Sequence, residues 1–170
     1  GFPSMTAAQD LFTDFDPHEG ITPAVRWLIV VNVAVYFLQL TLVSPLAIAA
    51  WLALAADAFP GHWWTLVTYM FVHASVLHIG VNMLMLWMFG PRIEHAFGTW
   101  RFTYFYFWSG LGGALFHLLF VRDGLVVCAS CAIVGVILAY ALRWPDEEVY
   151  RFGAIPMKAR WLAVWMIAVN

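Results

Sequence analysis

His73-Ala-Ser-Val-Leu-His78-Ile-Gly-Val-Asn82 opens one apolar segment of this sequence, and Cys128-Ala-Ser130-Cys131 opens a second one. Polar and ionisable side chains inside hydrocarbon are costly, so those that occur in an apolar segment are candidate functional residues. His78 and Asn82 are four residues apart and therefore project from one helical face. A serine facing a histidine and an amide indicates acyl-transfer chemistry, in which a hydroxyl attacks a carbonyl and nearby donors hold the oxyanion.

The composition indicates that the chain lies in a membrane. Of its 170 residues, 64% are hydrophobic and only 11% are charged, whereas a soluble domain carries about 25% charged residues. We therefore predict an all-α polytopic membrane protein. Its net charge is −2 and no basic run occurs, so nucleic acid is not an expected partner. The expected partners are membrane lipids and the transmembrane helices of substrate or partner proteins.

The order of apolar segments predicts a short tail followed by one membrane domain. Residues 1–22 are polar, and Thr22-Pro23 is typical of a helix start, with proline at the first helical position. We assign residues 23–170 to the membrane domain. Residues 46–64, which are interrupted by Asp57 and Pro60, are expected to lie in the interface rather than to span. The expected spans are residues 24–43, 75–89 (ended by Gly90-Pro91), 99–120, 126–142, and a fifth that begins near Ala159 and is cut off at Asn170.

The basic residues predict the orientation of these spans. With the N-terminus in the cytoplasm, only Arg122 falls outside, and seven basic residues fall inside. We therefore expect a multi-pass protein with a cytoplasmic N-terminus, in a bacterial inner membrane. His73, His78, Asn82 and Ser130 would then lie in the outer leaflet, close to water. The inside set is Arg26, Arg92, Arg101, Arg143, Arg151, Lys158 and Arg160.

These four polar residues form a candidate oxyanion site. An imidazole and an amide one helical turn apart can donate hydrogen bonds to a single oxygen, and backbone N–H groups point outward at the start of the helix that carries Ser130. His73 and His78 could each serve as a base, although the pattern suits them better as donors. Each residue alone also has an ordinary explanation in packing or in hydrogen bonding between helices. Their matched depth favours the functional interpretation.

Three motifs resemble those of rhomboid intramembrane serine proteases. Residues 64–73, Trp-Thr-Leu-Val-Thr-Tyr-Met-Phe-Val-His, continue to His78 and Asn82 and resemble that family's second-helix motif. Ser130-x-Ala132-Ile133-x-Gly135 resembles the start of its fourth helix. A cytoplasmic turn of the form E-x3-G-x2-R-F is matched by Glu94, Gly98, Arg101 and Phe102.

The resemblance implies a rhomboid-like bundle, with five helices visible or begun and a sixth expected beyond Asn170, so that the domain is C-terminally incomplete. It implies an intramembrane serine endopeptidase that cleaves transmembrane-segment substrates through a Ser-His dyad, without a metal or another cofactor. Ser130 would be the nucleophile. His78, Asn82 and the Ser130 backbone N–H would be the oxyanion donors, and His73 a supporting residue. In the family, the catalytic base is a histidine on the sixth helix, and this sequence has no histidine after His117.

Two cysteines depart from the family pattern G-x-S-G, since Cys128 and Cys131 replace both glycines. A side chain at position 131 would push the neighbouring helix away or force it to repack. This favours an alternative function, a catalytically inactive rhomboid-fold protein that acts as a structural or helix-binding subunit of a larger membrane complex.

The third span is expected to carry a tightly packed face formed by Gly110, Gly112, Gly113 and Ala114.

Cys128 and Cys131 also form a C-x-x-C pair, which admits a third hypothesis, a thiol redox or metal protein. The redox interpretation is weak outside a βαβ context. A metal site would need further ligands, which His73 and His78 could supply. Two packing thiols, or deliberate substitutions, explain the cysteines more readily, so we expect no metal.

Overall fold

The computed structural model describes residues 20–42, 44–127, 129–149, 157–162 and 164. Its helices are α1 (Pro23–Thr41), α2 (Pro45–Trp51), α3 (Thr65–Thr68) with a following 3₁₀ turn (Tyr69–Phe71), α4 (Val76–Phe97), α5 (Thr99–Phe116) with a following π-helical turn (His117–Val121), and α6 (Ser130–Arg143). Residues 159–162 and 164 are also helical. Two short antiparallel pairs join β1 (Leu54–Ala55) to β2 (Leu125–Val126), and β3 (Glu148–Val149) to β4 (Met157–Lys158).

The described helices fit the predicted polytopic membrane fold. Among them, three are long and apolar enough to cross a membrane: Pro23–Thr41, Val76–Phe97 and Thr99–Val121. The helix α6 is apolar but shorter, with 14 residues. The prediction of an all-α membrane protein is therefore confirmed.

One end of the helix bundle is organised around the Glu94 carboxylate, and we call it the Glu94 end. This carboxylate accepts hydrogen bonds from the backbone N–H groups of Ala24 and Val25, both at 3.0 Å, and from the Thr99 hydroxyl at 2.8 Å. The start of α1, the end of α4 and the start of α5 therefore meet here. A carboxylate at the N-terminus of α1 also complements the positive end of the helix dipole.

The opposite end of the bundle contains the start of α6, and we call it the Ser130 end. Gln39, near the end of α1, bonds to the backbone of His73, just before α4 begins. The pairing of Leu54 with Val126 joins the connection between α1 and α4 to the strand that leads into α6. The helices α4 and α6 therefore both begin at the Ser130 end.

The helix α6 lies against both α4 and α5. Its buried residues repeat with a spacing of three or four and cover a wide stripe of the helix: Ala132, Ile133, Val136, Ile137, Tyr140 and Ala141. At the far end of α6, the Tyr140 hydroxyl accepts a hydrogen bond of 3.0 Å from Arg92, which also pairs with Glu147. This contact fixes α6 alongside α4.

The predicted end of the second span at Gly90-Pro91 was wrong. The helix α4 continues to Phe97 with Pro91 inside it. Proline is tolerated within membrane helices because neighbouring groups can satisfy the freed backbone. Gly90 serves packing rather than termination, since an added Cβ would lie 2.6 Å from a methyl group of Val25 on α1.

Two smaller expectations also differ from the structure. The fourth span does not start at residue 126, because Val126 belongs to β2 and α6 begins at Ser130. Gly112 is exposed and meets nothing within 4 Å, so it does not belong to the packed face of α5, whereas Gly110 and Gly113 do. The start of a helix at Pro23 was correct. Most of the polar tail, residues 1–19, and the last residues of the fifth span, 165–170, lie outside the described residues.

Candidate active site

His73 lies in an extended stretch just before α4 and is almost completely buried, with 2% of its surface exposed. Its ring Nδ1 lies 3.3 Å from the carbonyl oxygen of Phe71. Its Nε2 is buried and has no hydrogen-bond partner among the described residues. Burial disfavours the charged imidazolium and, with a smaller contribution from neighbouring His78, lowers the pKa of His73 to about 4. His73 is therefore neutral at physiological pH.

His78 lies in the first turn of α4, and its position follows from the cap of that helix. Ser75 is extended and accepts a hydrogen bond of 3.2 Å from the His78 backbone N–H through its hydroxyl. The half-buried His78 ring meets the His73 ring edge-on, with the centroids 5.7 Å apart. The two histidines are thus brought together at the Ser130 end.

Asn82 lies one turn further along α4 and is buried, with 6% of its surface exposed. Its amide nitrogen Nδ2 has no hydrogen-bond partner among the described residues. Leaving a buried amide donor unpaired costs free energy, so such a group in a folded protein calls for a specific explanation. A ligand oxygen that arrives during a reaction is one such explanation.

Ser130 is the first residue of α6 and is half-buried. The preceding residue, Ala129, is fully buried and provides no side-chain cap to the helix. The next residue, Cys131, packs directly against α5, since a Cβ added to Gly113 would lie 2.5 Å from the Cys131 Cβ and Sγ atoms. The absence of a side chain at Gly113 therefore makes room for Cys131, and α5 and α6 remain in close contact.

The structure thus places all four predicted residues at one end of the bundle, with His78 and Asn82 on α4, Ser130 on α6, and His73 in the extended stretch before α4. The helices α4 and α6 pack against each other. It brings His73 and His78 into ring contact and sets Asn82 one turn beyond His78. It does not join Ser130 to His73 Nε2 or to Asn82 Nδ2 by a hydrogen bond. The four residues therefore lie at one end of the bundle, where His73 Nε2 and Asn82 Nδ2 have no hydrogen-bond partner among the described residues.

The described residues do not contain a metal-binding cluster. No group of three or more His, Cys, Asp or Glu side chains within that part of the chain is close enough to hold an ion. Cys128, one of the two cysteines in the C-x-x-C pair, lies outside the described residues. His73 and His78 on their own provide two imidazoles and no third ligand.

Sequence reasoning missed one residue that contacts this neighbourhood, Gln39 on α1. Its side chain bonds to both the N–H and the carbonyl of His73. A polar residue inside the apolar run of α1 was a signal that could have found it. Asn32 gives the same signal, yet its amide donates only to Leu28 of its own helix, at 2.7 Å, so the signal alone could not distinguish the two.

The fold and this arrangement of polar groups define a helical membrane protein of the rhomboid type. The family model of the Rhomboid domain matches residues 60–170, and the chain belongs to the rhomboid family. The motif Glu94, Gly98 and Phe102 has a clear structural role here, because Glu94 caps α1, Gly98 turns the chain at a φ of 80°, and Phe102 is fully buried.

Several curated proteins are similar to part of this chain. RHOMBOID-like protein 1 of Arabidopsis thaliana is 43% identical over 74 residues, which is 44% of this chain and 19% of that protein. Rhomboid protease AarA of Providencia stuartii is 33% identical over 95 residues, 52% of this chain and 34% of that protein. Rhomboid protease GluP of Bacillus subtilis (strain 168) is 33% identical over 60 residues, 35% of this chain and 12% of that protein. The matched segment therefore covers at most about a third of these relatives.

Proposed function

We propose that this protein is an intramembrane serine endopeptidase that cleaves transmembrane segments of other proteins, with Ser130 as its nucleophile. The observation that carries this proposal is the buried and unpaired amide nitrogen of Asn82, at the end of the bundle where α6 begins with Ser130. An oxyanion formed during acyl transfer would satisfy that donor in a site that excludes bulk water, where such a hydrogen bond is strongest.

In the proposed reaction, the Ser130 hydroxyl oxygen attacks the scissile carbonyl carbon and loses its proton to a base. The oxyanion would accept hydrogen bonds from Asn82 Nδ2, from a ring N–H of His78 and from the Ser130 backbone N–H. Collapse of this tetrahedral intermediate breaks the C–N bond, and the leaving amine takes the proton from the base. Water then hydrolyses the acyl ester and regenerates the serine. As the family resemblance implies, the base would be a histidine on a sixth helix, and it is not assigned to a residue of this sequence.

His73 would support this reaction without exchanging protons. Its ring packs edge-on against the His78 ring and restricts the orientation of that donor. The low pKa of the His73 ring keeps it uncharged at physiological pH, so the ring adds no buried positive charge beside His78.

We further propose that the Ser130 end faces the outer side of a bacterial inner membrane and the Glu94 end faces the cytoplasm. The basic residues support this orientation. Arg26 and Arg101 lie near the starts of α1 and α5, and Arg92 and Arg143 near the ends of α4 and α6, all at the Glu94 end. Arg122 lies in the connection to α6, at the Ser130 end. Membrane lipids and substrate transmembrane helices would be the partners.

A mechanism-based probe tests the proposal directly. The full-length protein, purified in detergent micelles, is treated with a fluorophosphonate, and the labelled residue is located by mass spectrometry. We expect covalent labelling at Ser130, and complete loss of the label in Ser130→Ala. Label that persists in the variant at a different nucleophile would contradict the assignment of Ser130.

The cysteine at position 131 favours a second candidate function, that of an inactive rhomboid-fold protein that binds membrane helices. Cys131 occupies a position where the family motif has glycine, directly after the nucleophile. A protein of this kind would fold normally but would not react with the probe at Ser130. Failure of Cys131→Gly to produce labelling in a folded sample would further favour this alternative.

A further inference from the structure

We propose that Gln39 is a positioning residue of the candidate site, which holds the His73 peptide and thereby fixes the His73 ring against His78. The consequence for reactivity rests on the proposed function. The structural link itself can be tested separately.

Gln39 makes two reciprocal hydrogen bonds to one residue. Its Oε1 accepts a hydrogen bond of 3.1 Å from the His73 backbone N–H, and its Nε2 donates a hydrogen bond of 3.2 Å to the His73 carbonyl oxygen. A primary amide donates at its nitrogen and accepts at its oxygen, so the Gln39 side chain can satisfy both backbone groups of His73 at once. Leucine, which has nearly the same size, can satisfy neither.

The chain around His73 needs such a partner because it is not helical. Val72 and the capping residue Ser75 are both extended, with ψ values of 134° and 162°. Extended backbone has no hydrogen-bond partners within its own segment, and buried backbone groups without partners are costly. The Gln39 side chain therefore does for His73 what a neighbouring β-strand would do.

Fixing the peptide also fixes the ring, because the imidazole has few remaining degrees of freedom. Its Nδ1 lies within hydrogen-bond distance of the Phe71 carbonyl oxygen. Its faces and edges meet the ring of His78 at 5.7 Å and the ring of Tyr36 at 6.5 Å, between centroids. Tyr36 and Gln39 both belong to α1, so this helix holds His73 at the backbone and at the ring.

This role gives α1 a function that the family comparison does not reveal. The residues matched by the Rhomboid domain begin at residue 60, beyond α1. Asn32 lies on the same helix but does not bond to His73: its Nδ2 donates to the carbonyl of Leu28 in its own helix, and its Oδ1 is buried without a partner among the described residues. Asn32 is therefore the natural control for Gln39.

The test compares Gln39→Leu with Asn32→Leu and Glu94→Gln in the full-length protein. Asn32→Leu removes an amide from the same helix, and Glu94→Gln weakens the fold at the opposite end of the bundle. For each variant, the second-order rate constant for fluorophosphonate labelling of Ser130 is measured at the same folded fraction. A ¹⁵N spectrum of the histidine side chains is recorded alongside, because it reports the tautomer and surroundings of His73 whether or not the protein is reactive.

We expect Gln39→Leu to lower the labelling rate constant by about 10- to 100-fold, the range typical of a catalytic group displaced by an ångström, and to shift the His73 nitrogen resonances. The two control variants should change neither. An unchanged labelling rate constant in Gln39→Leu would overturn the positioning role. An equal decrease of the labelling rate constant in Glu94→Gln, at matched stability, would overturn it too. If the parent protein is not labelled at Ser130, the proposed function fails. The His73 nitrogen resonances then provide the test of whether Gln39 positions His73. Unshifted resonances in Gln39→Leu would overturn the inference.

Discussion

The Glu94 carboxylate at one end of the bundle and the side chains of His73 and Asn82 at the other end differ in their hydrogen bonding. At the Glu94 end, one carboxylate receives hydrogen bonds from two backbone N–H groups and one hydroxyl, and it joins the ends of three helices. At the Ser130 end, Asn82 Nδ2 and His73 Nε2 are buried without hydrogen-bond partners among the described residues. Both groups belong to the neighbourhood of the proposed nucleophile.

This difference separates polar groups that hold the fold from polar groups available to a ligand. A carboxylate with three donors is already satisfied by the folded protein, so its removal should affect stability first. A buried donor without a partner destabilises the folded state, so its removal should affect chemistry and should not lower stability. Paired variants at the two ends can test this distinction.

Asn82→Leu should give the largest change. Loss of one oxyanion donor lowers the rate of comparable reactions by about 10²- to 10³-fold, and we expect a similar fall in the rate constant for Ser130 labelling. The melting temperature should not fall, because leucine removes an unpaired polar group from the interior. The labelling kinetics and a thermal melt of the same sample measure both effects. A large loss of stability would show that the Asn82 amide has a structural partner.

Glu94→Leu should produce the reverse pattern. The variant leaves the N–H groups of Ala24 and Val25 and the hydroxyl of Thr99 without their acceptor, and we expect the free energy of unfolding to fall by about 3 kcal/mol. Unfolding in a denaturing detergent measures this loss. Glu94→Gln keeps one acceptor oxygen and should lose less. The labelling rate constant of the folded fraction should stay at the parent value, and a decrease would show that the two ends are coupled.

His73 predicts a dependence of stability on pH. Burial lowers its pKa in the folded protein to about 4 from an ordinary value of 6.5, so the unfolded chain binds the proton first as the pH falls. The free energy of unfolding should therefore be highest above pH 6.5 and should fall by about 2–3 kcal/mol between pH 6.5 and 4. His73→Gln cannot titrate and provides the baseline. Parallel pH profiles for parent and variant would contradict the assignment, since the carboxylates contribute equally to both.

The contact between Gly113 and Cys131 should give the smallest effect on stability and serves as a test of helix packing beside the proposed nucleophile. Gly113→Ala places a Cβ 2.5 Å from Cys131 atoms, and we expect a loss of about 1–2 kcal/mol in the free energy of unfolding. Adding Cys131→Gly should recover part of it, which a double-mutant cycle measures. Gly112→Ala has open space around it and should be neutral or slightly stabilising. Equal losses of unfolding free energy in Gly113→Ala and Gly112→Ala would show that the effect comes from the helix backbone and not from the contact with Cys131.

Much of the fold could be predicted because it depends on segment-wide properties. Long apolar runs gave the helices α1, α4 and α5, and Thr22-Pro23 gave the start of α1. The prediction failed where one residue type is compatible with two local structures and distant contacts decide between them. Pro91 is typical of a helix end, yet neighbouring helices allow α4 to continue past it. Val126 is apolar like the span that follows it, yet it pairs with Leu54, a residue distant in the sequence.

The residues of the candidate site could also be predicted from the sequence, but the residue that positions them could not. His73, His78, Asn82 and Ser130 stand out as polar residues in apolar surroundings, and the structure places them at one end of the bundle. Their roles in catalysis remain predictions. The partner of His73 on α1 could not be predicted, because Gln39 and Asn32 lie on the same helical face, two turns apart. Which of them reaches His73 depends on how far α1 is shifted along its axis relative to α4, and packing determines that shift.

Gly98 connects α4 to α5 as the single residue between them, with φ at 80° and ψ at 151°. This backbone conformation is essentially restricted to glycine, although the site is exposed and has nothing within 4 Å of an added Cβ. The restriction is therefore conformational and owes nothing to crowding. In a library of all single substitutions, position 98 should behave like a core position while lying at the surface, so surface exposure would be a poor guide to mutational tolerance at this turn.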